Sequence, residues 1–405
     1  MIQVAILGYG TIGSGVYEVL NINKQVIEKR IGDEIRVKYV LDLREFPGSP
    51  IEDILVHDVN TILEDPEVSV VVEVMGGVEP AHTFVKNALL AGKSVATSNK
   101  ALVAKYGAEL SEIAKQKNQS FLFEASVGGG IPIIRSINTA LTGDVVEEIS
   151  GILNGTTNYM MTEMTNHGSE FEVVLKDAQK KGYAEADPTA DIEGHDACRK
   201  IAILTSLLTG QQVDFEDIYT EGITKITAGD IKFAKAMGRK IKLLATSKKQ
   251  GDSYCAMVSP VLLGSSHPLY HVDGVFNAVF VVGNMLGDAM FYGSGAGSLP
   301  TASAVVADVV DICKNLGKNI PYEWSAEKLS LADISSSQKS FFVRVEGSRE
   351  EKSEEIAAAF GNVEYVTCDE AAGECGFITE LISEKEFEEN AAKLSGIKNR
   401  IRMDQ

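Results

Sequence analysis

Hydrophobic residues open the chain in a short unbroken block. Ile2 to Leu7 is apolar at five of its six positions, ends in glycine, and predicts a buried strand. The period then changes: over residues 14–30 the apolar positions Val16, Val19, Leu20, Ile27 and Ile31 fall on one side of a helix. Residues 36–41 predict a second strand ending at Asp42, and residues 68–74, Val-Ser-Val-Val-Val-Glu-Val, a third. A helix over about 81–91, a short strand at 94–97 and a helix opened by Ser98-Asn99-Lys100 follow, then a strand over 120–124 and a helix near 133–141. Strands alternating with helices predict a parallel sheet. Further on, Gly151 to Tyr159 reads as strand, turn and helix. Asp187-Pro188 and Gly194 break the chain before Ala197, Ile201, Leu204 and Leu208, which predict an amphipathic helix from Asp196. An apolar segment lies at 273–282 and a helix at 301–316. After about Gln338 the pattern becomes strand (340–345), helix (351–360), strand (363–368), strand (376–382), helix (384–395), with residues 333–337 as linker.

Composition narrows the classes. A chain of 405 residues with 44% hydrophobic content suits two or three domains with ordinary cores. The net charge of -19 excludes a nucleic-acid footprint and an anionic membrane surface. Five cysteines, an odd number without a CxxC pair, predict reduced thiols. The first residues lack a basic segment, and their apolar run is too short for a signal peptide. No run reaches the ~18 apolar residues that would span a bilayer. These features predict a cytoplasmic protein.

Three sets of residues carry candidate chemistry. Gly8-Tyr9-Gly10-Thr11-Ile12-Gly13 follows the first strand directly and opens a helix, the setting of a dinucleotide fingerprint. Gly8 permits the turn, Gly10 admits the pyrophosphate, and Gly13 lets helix approach strand, with the phosphates on the helix N-terminus. Asp42 could accept from a ribose 2′-hydroxyl and Arg44 could meet a 2′-phosphate, so either NAD or NADP fits. Ser98 and Lys100 stand at the carboxyl end of a predicted strand, where open α/β sheets bind ligands.

The second set is the loop Glu124 to Pro132, with glycine at 128, 129 and 130. Its carbonyls with Glu124 could coordinate a hard cation, or the glycines could simply make a turn. The third set is Glu185, Asp191, Asp196 and Lys200. Asp196 and Lys200 are four apart and share a helix face. A lysine among carboxylates can donate a proton or orient a polar substrate, although a surface ion pair would leave the same trace. Thr156 could hold a substrate carboxylate or cap its helix. His195 adjoins this cluster but reads as a packing or capping residue.

Together these segments resemble homoserine dehydrogenase over about residues 1–320. The resemblance rests on Gly8 to Gly13, Glu73 to Pro80, Thr97 to Val103, Glu124 to Pro132, Asn154 to Tyr159, Gly182 to Lys200, and Tyr292 to Gly297 with Pro300 to Ser303. It implies an α/β fold: a Rossmann nucleotide domain (1–130, its last strands completed by part of 300–320) and an α+β substrate and dimerisation domain with a mixed sheet (131–320). It also implies reversible NAD(P)H-dependent reduction of L-aspartate 4-semialdehyde to L-homoserine, in threonine and methionine biosynthesis. In family terms Lys200 would be the proton donor, Asp196 would orient it, and Lys100 would lie beside the nicotinamide. Glu185, Asp191, Gly155 and Thr156 would bind substrate. Gly8, Gly10, Thr11, Ile12, Gly13, Asp42, Arg44, Ser98, Lys100 and Gly297 would bind the cofactor. Glu124, Val127, Gly129 and Ile131 would hold Na+ or K+.

The chain departs from the family pattern at Cys198, Ser98 and Leu41; the last leaves strict NADP preference open. Residues 338–405 resemble an ACT domain in their βαββα order, without the expected Pro-Gly turn, and imply a threonine effector. A homodimer or a dimer of dimers is expected. Two other readings share some of these features: another Rossmann amino-acid dehydrogenase, and a nicotinamide sensor without turnover. Neither requires Lys100 together with the Glu185, Asp191 and Lys200 set.

Overall fold

The computed structural model describes residues 1–404 and divides into two compact units. The first comprises residues 1–144, 202–215 and 293–329. Its sheet has six parallel strands in the order Leu55–Val56, Ile35–Leu41, Ile2–Leu7, Val68–Glu73, Ser94–Thr97, Phe121–Leu122. In order of appearance this is 3-2-1-4-5-6, the doubly wound Rossmann arrangement, whose order reverses beside Ile2–Leu7. The expected strands form because their Val and Ile side chains bury on both faces, as a parallel sheet demands. The expected completion of this sheet by strands from 300–320 fails: that stretch lies largely in helix Ser298–Lys314, whose Ala302, Val305, Val306, Val309 and Ile312 join the same core as Val4, Ile6, Val70 and Val72.

Another expectation fails here. Residues 14–30 are not a single helix: Thr11–Ile22 and Lys24–Ile31 are separate, broken at Asn23, whose backbone N–H still bonds Val19 O. Periodicity carried over the break because both helices put apolar residues toward one core.

The second unit comprises residues 145–201, 216–292 and 330–405. Its mixed sheet runs Gly287–Ser294, Phe276–Gly283, Val146–Ile152, Lys240–Gln250, Ser253–Leu263, Ile397–Met403, Gln338–Glu346, Glu374–Thr379, Val363–Val366. Lys240–Gln250 and Ser253–Leu263 form a long antiparallel hairpin, while Ile397–Met403 pairs Ser253–Leu263 in parallel. Apart from the two-residue strand Ile382–Ser383, the C-terminal segment is βαββαβ rather than βαββα. The helix expected over 384–395 ends at Ala391, and the unexpected strand Ile397–Met403 inserts between Ser253–Leu263 and Gln338–Glu346. Phe341, Val343, Phe377, Ile356 and Phe387 build a separate apolar cluster in this segment.

Candidate active site

In the first unit, strand Ile2–Leu7 hands the chain to helix Thr11–Ile22 through the glycine turn. Gly8 has φ of +96°, and a Cβ on Gly13 would lie 1.9 Å from Gly8 O, so helix and turn touch at backbone distance. Gly10 caps the helix without a side-chain hydrogen bond and has open space around it, leaving the first amides to face a ligand. Ser298 Oγ donates to Thr11 O at 2.6 Å, so Gly297, the residue before helix Ser298–Lys314, stands beside that first turn. This environment fits a dinucleotide pyrophosphate.

Asp42 and Arg44 are not alternatives. Arg44 Nε and Nη2 donate to the Asp42 carboxylate at 3.0 and 2.9 Å, and Tyr9 N donates to it at 2.9 Å. Hydrogen bonding from Arg44 holds the Asp42 carboxyl far below its usual range. Asp42 therefore anchors the glycine turn, and Arg44, 61% exposed, is held on the outside of it.

Sequence reasoning missed a buried network at the other strand ends. Glu73, fully buried, accepts from Thr97 Oγ1 at 2.6 Å and Met75 N at 2.8 Å. Burial pushes its carboxyl up, with these bonds opposing. Asn99 Nδ2 donates to Gly77 O at 2.6 Å while Asn99 Oδ1 caps helix Lys100–Gln116 through Leu102 N. Lys100 is thus the first residue of a firmly capped helix, with Ser98 half-buried before it.

The Glu124 loop is also in this unit. Glu124 accepts from Ile134 N at 2.8 Å and Arg135 N at 2.7 Å, and burial pushes its carboxyl up. Each oxygen keeps a lone pair beyond its amide. The triple glycine has a packing reason: Gly129 has φ of +57°, and a Cβ there would lie 2.4 Å from Gly295 O. Gly130 N donates to Ser294 O at 3.0 Å. The two glycine loops therefore pack backbone to backbone. Val127 and Ile131 are buried, and Ile131 O accepts from Ile133 N at 2.9 Å. A carboxylate with the carbonyls of Val127, Gly129 and Ile131 is an all-oxygen donor set, the chemistry a hard monovalent cation takes.

The third set lies in the second unit, and the structure joins three of its four members. Lys200 Nζ donates to Asp196 Oδ2 at 2.7 Å and to Leu153 O at 2.7 Å, with Lys200 8% and Asp196 4% exposed. A surface ion pair is thereby ruled out. Asn154 Nδ2 donates to Asp191 Oδ1 at 2.8 Å and to Asp196 Oδ2 at 2.9 Å, a residue the sequence reading passed over. Its Oδ1 accepts from Thr157 N at 2.9 Å and so caps helix Gly155–His167. The cap expected at Thr156 is therefore at Asn154. Thr156 Oγ1 instead donates to Tyr183 O at 2.7 Å, tying this helix to the Gly182–Pro188 loop. Gly155 sits tightly on strand-side backbone, where a Cβ would come within 2.8 Å of Val275 O. Glu185 is exposed in the connection before helix Thr189–Ile192, and His195 is exposed at the first turn of helix His195–Thr209.

Residues 8–124 match the homoserine dehydrogenase NAD-binding domain, and residues 132–310 match homoserine dehydrogenase. Homoserine dehydrogenase of Bacillus subtilis is 44% identical over 318 residues, 78% of this chain and 73% of its own. The chain belongs to the homoserine dehydrogenase family. The Neisseria gonorrhoeae homoserine dehydrogenase is also 44% identical, over 77% of this chain and 72% of its own. The crystal structure of a homoserine dehydrogenase from Thiobacillus denitrificans superposes with a TM-score of 0.91 at 36% identity, covering 100% of this chain and 98% of that one. A hyperthermophilic archaeal homoserine dehydrogenase in complex with NADPH gives 0.67 at 28% identity, covering 77% of this chain and 97% of its own. As a homoserine dehydrogenase the chain is an NAD(P)-dependent oxidoreductase that interconverts L-aspartate 4-semialdehyde and L-homoserine. Among the described residues no helix is long and apolar enough to cross a membrane.

Proposed function

We propose that Lys200 is the proton donor of this homoserine dehydrogenase, and that Asp196 and the Leu153 carbonyl aim it. Bound NAD(P)H supplies the hydride to the aldehyde carbon. As negative charge grows on the aldehyde oxygen, the Lys200 ammonium stabilises it and transfers its proton. The observation that carries this reading is the burial of Lys200 between the Leu153 carbonyl and the Asp196 carboxylate, both at 2.7 Å. These two acceptors fix the direction of the ammonium. Glu185 binds the substrate's ammonium and Asp191 its polar end, Gly155 and Thr156 line its pocket, and Lys100 acts beside the nicotinamide. Gly8, Gly10, Thr11, Ile12, Gly13, Ser98 and Gly297 hold the dinucleotide, Asp42 accepts from a ribose 2′-hydroxyl and Arg44 donates to a 2′-phosphate, so NAD and NADP both serve. Glu124 with the Val127, Gly129 and Ile131 carbonyls holds Na+ or K+, which adds positive charge to a buried acidic loop.

In this proposal residues 1–130, with helix Ser298–Lys314 and Gly297 before it, serve the nucleotide, the rest of 131–320 the substrate and dimerisation, and 338–405 form an ACT-like regulatory module. The enzyme is a cytoplasmic dimer or dimer of dimers in threonine and methionine biosynthesis. The βαββαβ order of residues 338–403 supports the ACT-like reading. If threonine alters neither rate nor melting temperature, the effector part fails.

The test is oxidation of L-homoserine by purified protein with NAD or NADP at alkaline pH, with Na+ or K+ present, followed by absorbance of the reduced nicotinamide. Turnover is expected with the unaltered chain. Lys200→Ala should lose about 10²–10⁴-fold in kcat, the range of a general acid, with cofactor affinity kept. Near-normal turnover by that variant would remove Lys200 from the role.

A further inference from the structure

Two adjacent residues at the end of strand Val146–Ile152 organise the acidic cluster. Leu153 supplies the carbonyl that accepts from Lys200. Asn154 supplies a carboxamide whose two N–H groups reach different carboxylates, Asp191 Oδ1 at 2.8 Å and Asp196 Oδ2 at 2.9 Å. The same Asp196 Oδ2 accepts from Lys200 Nζ. The carboxamide orientation is set by its surroundings. Turned over, its oxygen would face two carboxylates and its NH2 would face the Thr157 N–H and hydroxyl, which now donate to Oδ1 at 2.9 and 3.0 Å. Asn154 is 6% exposed, so no other solvent partner competes.

We infer that Asn154 is a positioning residue of the reaction. It bridges two carboxylates that would otherwise repel, fixes their spacing, and through Asp196 fixes the direction of the Lys200 ammonium. It also links the two ends of the substrate pocket: a group bound at Asp191 pulls on the same carboxamide that steadies Asp196. Its second duty, capping helix Gly155–His167, is separable, because a cap needs only an acceptor oxygen. Serine and aspartate cap as well as asparagine, yet neither can donate to both carboxylates.

This inference rests on the proposed role of Lys200, and the variants separate the two. Asn154→Ser is expected to keep Tm near that of the unaltered enzyme, Asn154→Asp to lower it by setting a third carboxylate against Asp191 and Asp196, and both to keep NADPH affinity. Both are expected to lose kcat by about 10²-fold, the effect of a mis-aimed catalytic group. Asn154→Asp also adds a third carboxylate, which disfavours ionisation of its neighbours. It should move the acid limb of the kcat profile upward by about one pH unit. Asn154→Ala, which removes the cap as well, should lower Tm and kcat together.

If Asn154→Ser and Asn154→Asp turn over normally with an unchanged pH profile, Asn154 is only a cap and the inference is overturned. Should Asn154→Ser lose stability as well, Asp191→Asn in the Asn154→Ser background is the deciding measurement. Restored Tm supports the bridge, and no restoration of Tm overturns it. Normal turnover by Lys200→Ala instead sinks the proton-donor reading itself, whatever the Asn154 variants do.

Discussion

Arg44 and Asp42 show how far a residue pair can be read before its geometry is known. Either side chain could serve a ribose, and spacing along the chain could not choose. In the folded protein Asp42 is occupied by the Tyr9 amide and by Arg44, leaving the guanidinium as the group on the outside. Arg44→Ala should therefore raise KM for NADP by about tenfold, the loss of one exposed charge-assisted contact, and leave KM for NAD nearly unchanged. Steady-state kinetics with both cofactors checks this; equal losses would mean that Arg44 only props the turn. The cysteines give a second residue-scale expectation. Cys198, Cys255, Cys313 and Cys375 are buried, and burial pushes their thiols up, Cys313 to about 12. A thiol reagent at pH 8 should label Cys368 in the native protein and the other four only on unfolding. Of the candidate site residues, Lys200, Asp196 and Asp191 were legible because one helix period and one proline break place them. Asn154 was not, since an amide before a glycine looks like any turn; its position three residues before Thr157 was the one available signal of a cap.

At the scale of elements, legibility followed how cleanly apolar residues repeat. The parallel strands Ile2–Leu7, Val68–Glu73 and Ser94–Thr97 were found because both faces are buried and their sequences are nearly all apolar. The hairpin Lys240–Gln250 and Ser253–Leu263 and the strand Ile397–Met403 were not found. They carry Lys242 and Arg402, each 1% exposed, so charges that read as surface residues are interior. Pro260 within Ser253–Leu263 added a second false signal against a strand. The loop that carries Asp191 depends on an element contact equally hidden in sequence. Ile223 N donates to Ile192 O at 2.8 Å, and a Cβ on Gly222 would lie 2.0 Å from that oxygen. Gly222→Ala must push Ile192 and Glu193 away, and with them Asp191. We expect kcat/KM for the aldehyde to fall by at least tenfold while NADPH affinity holds, since displacing a positioned group by about 1 Å costs up to about 10²-fold. Gly143→Ala, where nothing lies near the new methyl, is the control and should be neutral.

Across the molecule, the C-terminal module joins the rest of its unit by buried charges as much as by apolar surface. Arg400 Nη1 and Arg402 Nη1 both donate to Glu221 Oε2, at 3.0 and 2.8 Å, and Arg402 also grips Glu384. Arg344 Nε reaches Asp230 at 2.9 Å and Arg344 Nη1 reaches Glu374 at 2.8 Å. Glu221 immediately precedes Gly222, so the module's last strand holds the segment that braces the Asp191 loop. Such pairs contribute little net stability when intact but cost about 3–5 kcal/mol when one partner is removed, because a buried charge is left alone. Burial opposes ionisation of Glu221, but the charges of Arg400 and Arg402 outweigh it and bring its carboxyl below the ordinary value. A carboxyl depressed on folding releases its proton more readily in the native state than in the unfolded chain. Its stabilisation is therefore complete above about pH 4.3, the unfolded value, and drains away as pH falls through the lower native value. Glu221→Gln should melt at a lower temperature than the unaltered enzyme at pH 7, and the gap should close as pH drops below about 4.3. Melting curves from pH 7 downward decide it. A gap that stays constant with pH would mean that Glu221 acts through packing and that the arginines are neutralised by Glu384 alone.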